Sequence, residues 1–310
     1  MTTLQQQARP EAEDSLMPAA EDLARELDQR TPLATMRRLR IHCFFGDECP
    51  QTLLAIGRLR EVGFQSAGAG RGNDFDLDRL DRGDGCYGQL LAWDPEHREI
   101  VAMYRFQLGT RAATHGDSHL RTRTLFDYSP RFRTEILPRA IELGRSVVNR
   151  SARRQSMGFF ALWAGLGALL RRHPEVEYFF GNVSLYQTMD SAGRDGLIAW
   201  LESHYAPPEP MLVARPGLRH RPATGTDPGP AVATGETDEP EQRIRQLRSL
   251  LARHDERIPP VMQSYMALSN GIWCGETVFD ADFGGALEIG IVVPVATINE
   301  SIRQRFITAG

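Results

Sequence analysis

The chain has 310 residues, 41% of them hydrophobic, and a formal net charge of −4. That is enough to bury a substantial core, and the sign of the charge speaks against a nucleic-acid backbone as the main partner. All 36 basic residues are arginine, which excludes a lysine Schiff base and the lysine of a P-loop. Cys43, Cys49, Cys86 and Cys274 form no C-x-x-C pair and have no clustered histidines at ligand spacing. Neither a metal site nor a disulfide framework is expected.

In chain order, residues 1–33 are polar and acidic with little periodicity, as in a mobile leader with at most a short helix. This start is not the basic-then-apolar pattern of a signal peptide. No run approaches the roughly 20 apolar residues of a membrane span, so a cytoplasmic protein is expected, with peripheral contact at the inner membrane still open to it. "RLRIHCFF" (38–45) alternates as a half-buried strand, and "PQTLLAIGRLREVGF" (50–64) carries helical spacing. "GQLLAWD" and "EIVAMYRFQL" form a hairpin around "DPEHRE". "AIELGRSVV", "GFFALWAGLGALLRRH" and "YFFGNVSL" then give a right-handed parallel βαβ unit. The Pro- and Gly-rich stretch 206–242 reads as an irregular insertion or linker. Beyond it come helices in "EPEQRIRQLRSLLARHD" and "PPVMQSYMALSNG" and a strand in "ALEIGIVVPV". The domain reading is a leader (1–33), a core (34–205), the insertion (206–242), and helices and a strand (243–310) that complete the core.

Several charged residues stand out. Glu142 and Arg145 lie three apart on one strand, so they face opposite sides unless Gly144 marks a bulge. They are either a structural ion pair at a sheet edge or, with the bulge, two groups of one site. Arg105 sits within an apolar strand, where alternation leaves an outward-facing residue and a site residue equally open. Asp78 and Asp81 lack the spacing of an EF-hand and suit capping, positioning arginines, or plain solvation. Arg150, Arg153 and Arg154 precede a helix that starts at Gly158. Composition favours a solvated loop there, and a phosphorylated carrier arm is the alternative.

Taken in order, "RLREVGF", "DLDRLD", "IVAMYRFQ", "IELGRSVV" with "LWAGLGALL", "YFFGNVSL", "PPVMQSYMALSNGIWCGE" and "DFGGALEIGIVVPV" resemble the hemolysin-like N-acyltransferases of the GNAT superfamily. That group includes the ornithine-lipid and glycine-lipid enzymes, and the resemblance covers about residues 38–306 without the insertion. It implies an α/β fold with a GNAT-like mixed, splayed β-sheet flanked by helices, whose diverging strands admit a pantetheine arm. By this resemblance Arg60 and Phe64 match R-x-x-x-F, Asp78 and Asp81 the paired aspartates, Arg105 the "YR" arginine, and Glu142 with Arg145 the E-x-x-R. It tips the arginine-rich turn toward donor binding. No tightly bound cofactor and no metal are implied. The donor is a long-chain, possibly 3-hydroxy, acyl group on acyl carrier protein, with acyl-CoA the less usual source, and the acceptor is an amino acid.

The implied catalytic residues are Glu142 as base, Arg145 to orient it or bind the acceptor carboxylate, and Arg105. The donor would be bound by Arg60, Phe64, Asp78, Asp81, Arg150, Arg153, Arg154 and Gly158. Backbone N–H groups near Ser146 and Val148 would receive the thioester oxygen. Two other readings stay open: a signal synthase of the homoserine-lactone kind, and a non-catalytic acyl-binding protein.

Overall fold

The computed structural model describes residues 17–222 and 240–308. Its elements begin with α1 (Ala20–Asp28), β1 (Ala34–Met36), β2 (Leu39–Phe45), α2 (Pro50–Ser66), β3 (Gly88–Asp94) and β4 (Glu99–Leu108). There follow α3 (Gly109–His115), β5 (Phe126–Tyr128), β6 (Ala140–Val148), α4 (Gly158–Arg172) and β7 (Tyr178–Leu185). The last are α5 (Ser191–His204), β8 (Leu212–Ala214), α6 (Pro240–Ala252), α7 (Pro260–Leu268), β9 (Trp273–Asp280) and β10 (Ala286–Pro294). No helix among the described residues is long and apolar enough to cross a membrane. The chain divides into two compact units, with Phe106–Gly144 and Leu166–Gly310 forming most of the second. The boundary passes through β4, β6 and α4.

In the first unit the strands neighbour one another in the order β1-β2-β3-β4-β6. β2 pairs antiparallel with β3 from Arg40↔Trp93 to Phe45↔Gly88. Leu39, Ala92, Val101, Ala152 and Ala161 form one buried cluster, with Met36 and Met157 packed against it. Part of the expected leader belongs to this unit. Leu23 and Leu27, one helical turn apart on α1, are buried. Glu26 accepts the N–H groups of Gln51 and Thr52 at 2.9 and 2.8 Å, satisfying donors that the start of α2 cannot pair internally. Residues 1–16 lie outside the described residues.

In the second unit the order is β6-β7-β10-β9. β10 is buried along its length and pairs antiparallel with β7 from Leu287↔Leu185 to Pro294↔Tyr178. β6 pairs in parallel with β7 from Ala140↔Tyr178 to Leu143↔Gly181, while β7 runs on to Leu185 along β10. Part of the expected insertion is a strand: β8 pairs with β5, Phe126↔Ala214 to Tyr128↔Leu212. Residues 223–239 of that stretch lie outside the described residues. α5 is capped by Asp190, whose carboxylate accepts the Gly193 N–H at 2.8 Å.

On β6 the residue after Gly144 departs from strand geometry. Arg145 has φ +52, a left-handed conformation that a non-glycine residue holds only at some energetic expense.

Candidate functional site

Of the residues singled out by the sequence, Glu142 lies in the second unit and the others in the first. In the first, Arg60 donates from α2 to Asp81 at 3.0 Å and to Gln89 at 2.6 Å. Arg105 donates from β4 to Asp78 at 2.9 Å and to Asp81 at 3.1 Å, and its guanidinium lies 4.9 Å from the centre of the Tyr87 ring. Arg60 and Asp81 are 0% exposed and Arg105 1%. Burial would raise the Asp81 carboxyl, but Arg105 and Arg60 outweigh it and hold the group well below the usual carboxylate range. Burial would likewise lower Arg105, and Asp81 and Asp78 hold it above its ordinary value instead. Each charge therefore answers another, as burial demands.

Arg105, Arg60 and Asp81 are thus paired with one another inside the protein. Residues expected to meet substrate are enclosed by one another and lock α2, the 76–81 segment, β3 and β4 together. Arg145 forms an ion pair with Asp76 at 2.8 Å and lies 5.5 Å from the centre of the Phe64 ring. Asp76, which the sequence reading did not single out, is its carboxylate partner.

The turn before α4 departs from expectation in part. Arg154 reaches Glu96 at 2.6 Å and also Asp94, so its charge is already answered. Asp94, Glu96 and His97 are close enough to share a cation, and the Arg154 guanidinium fills that part. Arg150 and Arg153 are exposed. Gly158 has a packing reason, since a Cβ there would lie 2.9 Å from Val148 Cγ1 and 3.2 Å from Ala102 Cβ. The Ser146 hydroxyl is buried and without a partner among the described residues.

In the second unit, Glu142 is 1% exposed and accepts the backbone N–H groups of Thr122 at 2.7 Å and Arg121 at 3.3 Å. The Arg121 side chain donates to Asp280. Strand register explains how one loop reaches both acids. Glu142 stands opposite Phe180, Ser184 opposite Glu288, and Val278 opposite Glu288. Because side chains alternate, Glu142, Asn182, Ser184, Glu288 and Asp280 share one face of the sheet. The 120–124 loop lies over that face. Glu288 is 1% exposed, and its carboxylate accepts from the Ser184 hydroxyl at 2.8 and 3.0 Å and from the Asn182 amide. Burial pushes its carboxyl up to about 7, against the pull of those hydrogen bonds.

Two curated relatives match the chain along most of its length. One, a glycine N(alpha)-acyltransferase of Bacteroides thetaiotaomicron, is 34% identical over 95% of this chain and 90% of its own. Another of the same name, from Phocaeicola vulgatus, is 33% identical over 90% of this chain and 87% of its own. The chain belongs to the GNAT family of N-acyltransferases. The acetyltransferase (GNAT) domain family matches residues 59–164, which span the C-terminal part of α2, β3 to β6 and the start of α4. The mixed sheet with flanking helices is therefore a GNAT-like fold. A crystal structure of an acyl-CoA N-acyltransferase from Pseudomonas aeruginosa matches 47% of this chain and 79% of its own, at 20% identity and TM-score 0.31.

For this GNAT protein, the sequence reading missed Glu288, Asp280 and Arg121 altogether. Glu288 did leave a signal, as the one acid within the apolar run "ALEIGIVVPV". Arg121 and Asp280 left none, since only the folded loop brings them together.

Proposed function

We propose that this GNAT enzyme moves a long-chain acyl group from the phosphopantetheine thiol of acyl carrier protein to the α-amino group of glycine. The product is a lipo-amino acid. The observation that carries this reading is the match to the two glycine N(alpha)-acyltransferases over nearly the whole length of the chain. The enzyme then works in the cytoplasm, touching the inner membrane where its lipid product leaves.

Acylation proceeds by direct attack of the amine on the thioester. A covalent acyl-cysteine route through Cys274 or Cys49 has little support. Burial pushes Cys274 up to about 12 and Cys49 up to about 11, and the thiolate is the nucleophilic form. In this reading the donor arm reaches β6 near Ser146 and Val148, where backbone N–H groups receive the developing oxyanion. Arg145 and Phe64 shape that approach from β6 and α2. Glu142, with both oxygens accepting backbone N–H groups, holds the 120–124 loop rather than taking the amine's proton. Exposed Arg150 and Arg153 meet the acidic surface of the carrier.

The test is acylation by the purified protein, read by mass spectrometry, with a 3-hydroxyacyl carrier protein or the matching CoA thioester and a panel of amino acids. N-acylglycine formed faster from the carrier is the expected result. The Arg150→Ala, Arg153→Ala double variant raises KM for the carrier and weakens its salt dependence. A preference for CoA, with a KM that ignores both salt and these arginines, removes the carrier protein from the reading.

A further inference from the structure

We propose that one end of the first unit is a docking surface for an anionic membrane. Phe160 and Trp163 of α4 enter the headgroup level there, and arginines of the neighbouring turns hold lipid phosphates. The inference deepens the membrane contact of the reading above by naming its surface. Vesicle binding is read without substrate, so it stands or falls apart from acyl transfer.

Three turns meet at this end, and all of them belong to the first unit. They join β1 to β2, β3 to β4, and β6 to α4. The start of β2 pairs with the end of β3 at Arg40↔Trp93, and the Asn149 N–H after β6 donates to the Val101 carbonyl near the start of β4 at 2.9 Å. Side chains tie the turns together. Glu96 accepts from Arg38 at 3.0 Å and from Arg154 at 2.6 Å, and Glu99 accepts the Arg153 backbone N–H at 3.0 Å. Met36 and Met157 pack on the one buried cluster that contains Ala161, the residue next to Phe160. The turns and the first half of α4 therefore present one continuous surface.

That surface combines aromatic rings with unanswered positive charge. Phe160 is 43% exposed, and Trp163, one turn along α4, is half-buried with its ring centre 6.1 Å away. Arg37, Arg150 and Arg153 are exposed, and their side chains make no ion pair among the described residues. Arg38 and Arg98 pair only with the exposed acids Glu96 and Glu21, contacts that water weakens and a phosphate can replace. The backbone gives a second indication. Arg37 and Arg98 have φ +55 and +52. Arg37 is the first of the two residues that join Met36 to Leu39, a place where hairpins take glycine or asparagine. Glycine suits both positions, so the fold alone does not call for arginine at either. The chain as a whole carries a net charge of −4, and this end has the opposite sign. Exposed rings rimmed by guanidinium groups suit a planar anionic bilayer, which meets the three turns and α4 at once. Arg150 and Arg153 are shared with the carrier contact proposed above, and the test leaves them in place.

The experiment is sedimentation of the full chain with vesicles of phosphatidylcholine, alone and mixed with phosphatidylglycerol, at low and high salt. The wild type sediments with the mixed vesicles only, and salt releases it. The Arg37→Gly, Arg98→Gly double variant lowers the partition coefficient about 25-fold, at roughly fivefold per arginine. Its urea midpoint stays close to wild type, because glycine suits both positive φ values. Phe160→Ser lowers partition about tenfold. Each variant keeps the wild-type turnover of a soluble acyl carrier thioester. Equal binding to neutral and anionic vesicles overturns the inference, as does a double variant that still sediments like the wild type. Normal sedimentation of that variant with a raised KM for the carrier also overturns it, and gives the surface to the carrier instead. A protein that sediments as expected but acylates no amine keeps this inference and removes the functional reading.

Discussion

A carboxylate that accepts N–H groups from two successive residues fixes the backbone between them, and Glu142 does this to Arg121 and Thr122. Glutamine at 142 would keep one acceptor and turn an NH₂ group toward a backbone N–H, leaving a buried donor unsatisfied. The expected loss is roughly 1–3 kcal/mol of stability, read by denaturant unfolding, with lower activity because Arg121 is released from the sheet face. Should stability be unchanged while acylation falls by orders of magnitude, Glu142 is the proton acceptor and the anchoring role is gone. Spacing alone marked Glu142 and Arg145 as a pair of interest, and the need for a bulge between them was also readable. What each one touches was not. Period-two alternation says which side of a strand a residue faces, not which loop lies over that side. Asp76 and the 120–124 loop are brought in by tertiary packing.

At the scale of elements, the charged residues of the first unit act as a fastener. Asp81, from the segment between α2 and β3, accepts from Arg60 of α2 and Arg105 of β4 and bonds Gln89 of β3. Asp81→Asn would leave two buried guanidinium groups short of a charge. Breaking such a pair costs roughly 3–5 kcal/mol, so the variant unfolds at much lower denaturant while its folded fraction keeps near-normal kcat. A folded variant of ordinary stability with kcat reduced by orders of magnitude would return these residues to substrate contact. The long periodic elements α2, β4, β6, α4, β7 and β10 were legible because each carries a clean apolar pattern. β5, β8 and α5 were not read. The first two are three residues each, too short for a pattern, and α5 begins "SAGRDG", whose glycines weaken the helical signal.

At the scale of the whole molecule, the division into units left no mark in composition. The 206–242 stretch reads as an insertion within one domain, and the boundary between the units passes through β4, β6 and α4, inside patterns that read as continuous. The stability of the chain as a whole depends on buried groups in both units, and two of them act against each other. His42, on β2, is buried with both ring nitrogens unpartnered among the described residues, and burial, aided by Arg40, lowers it from 6.5 to about 4. The unfolded chain therefore binds a proton more readily between those values, and stability falls as pH drops through them by about 3 kcal/mol. Glu288 has the opposite sign. Burial raises it from 4.5 to about 7, so the folded chain holds the proton more tightly, and stability falls by a similar amount, about 3 kcal/mol, as pH rises through that window. Together they place the stability maximum in mildly acidic solution, with the paired aspartates adding a further loss only at lower pH, where Asp78 and Asp81 take up protons. Urea unfolding across pH separates the two contributions. Because the windows, from about 4 to 6.5 and from 4.5 to about 7, overlap, the two opposed slopes largely cancel between them, so His42→Leu uncovers a fall in stability toward neutrality and Glu288→Gln uncovers a fall toward acid. A pH dependence unmoved by Glu288→Gln would mean that the acid is ionised and well solvated in the folded protein, against its enclosure in β10.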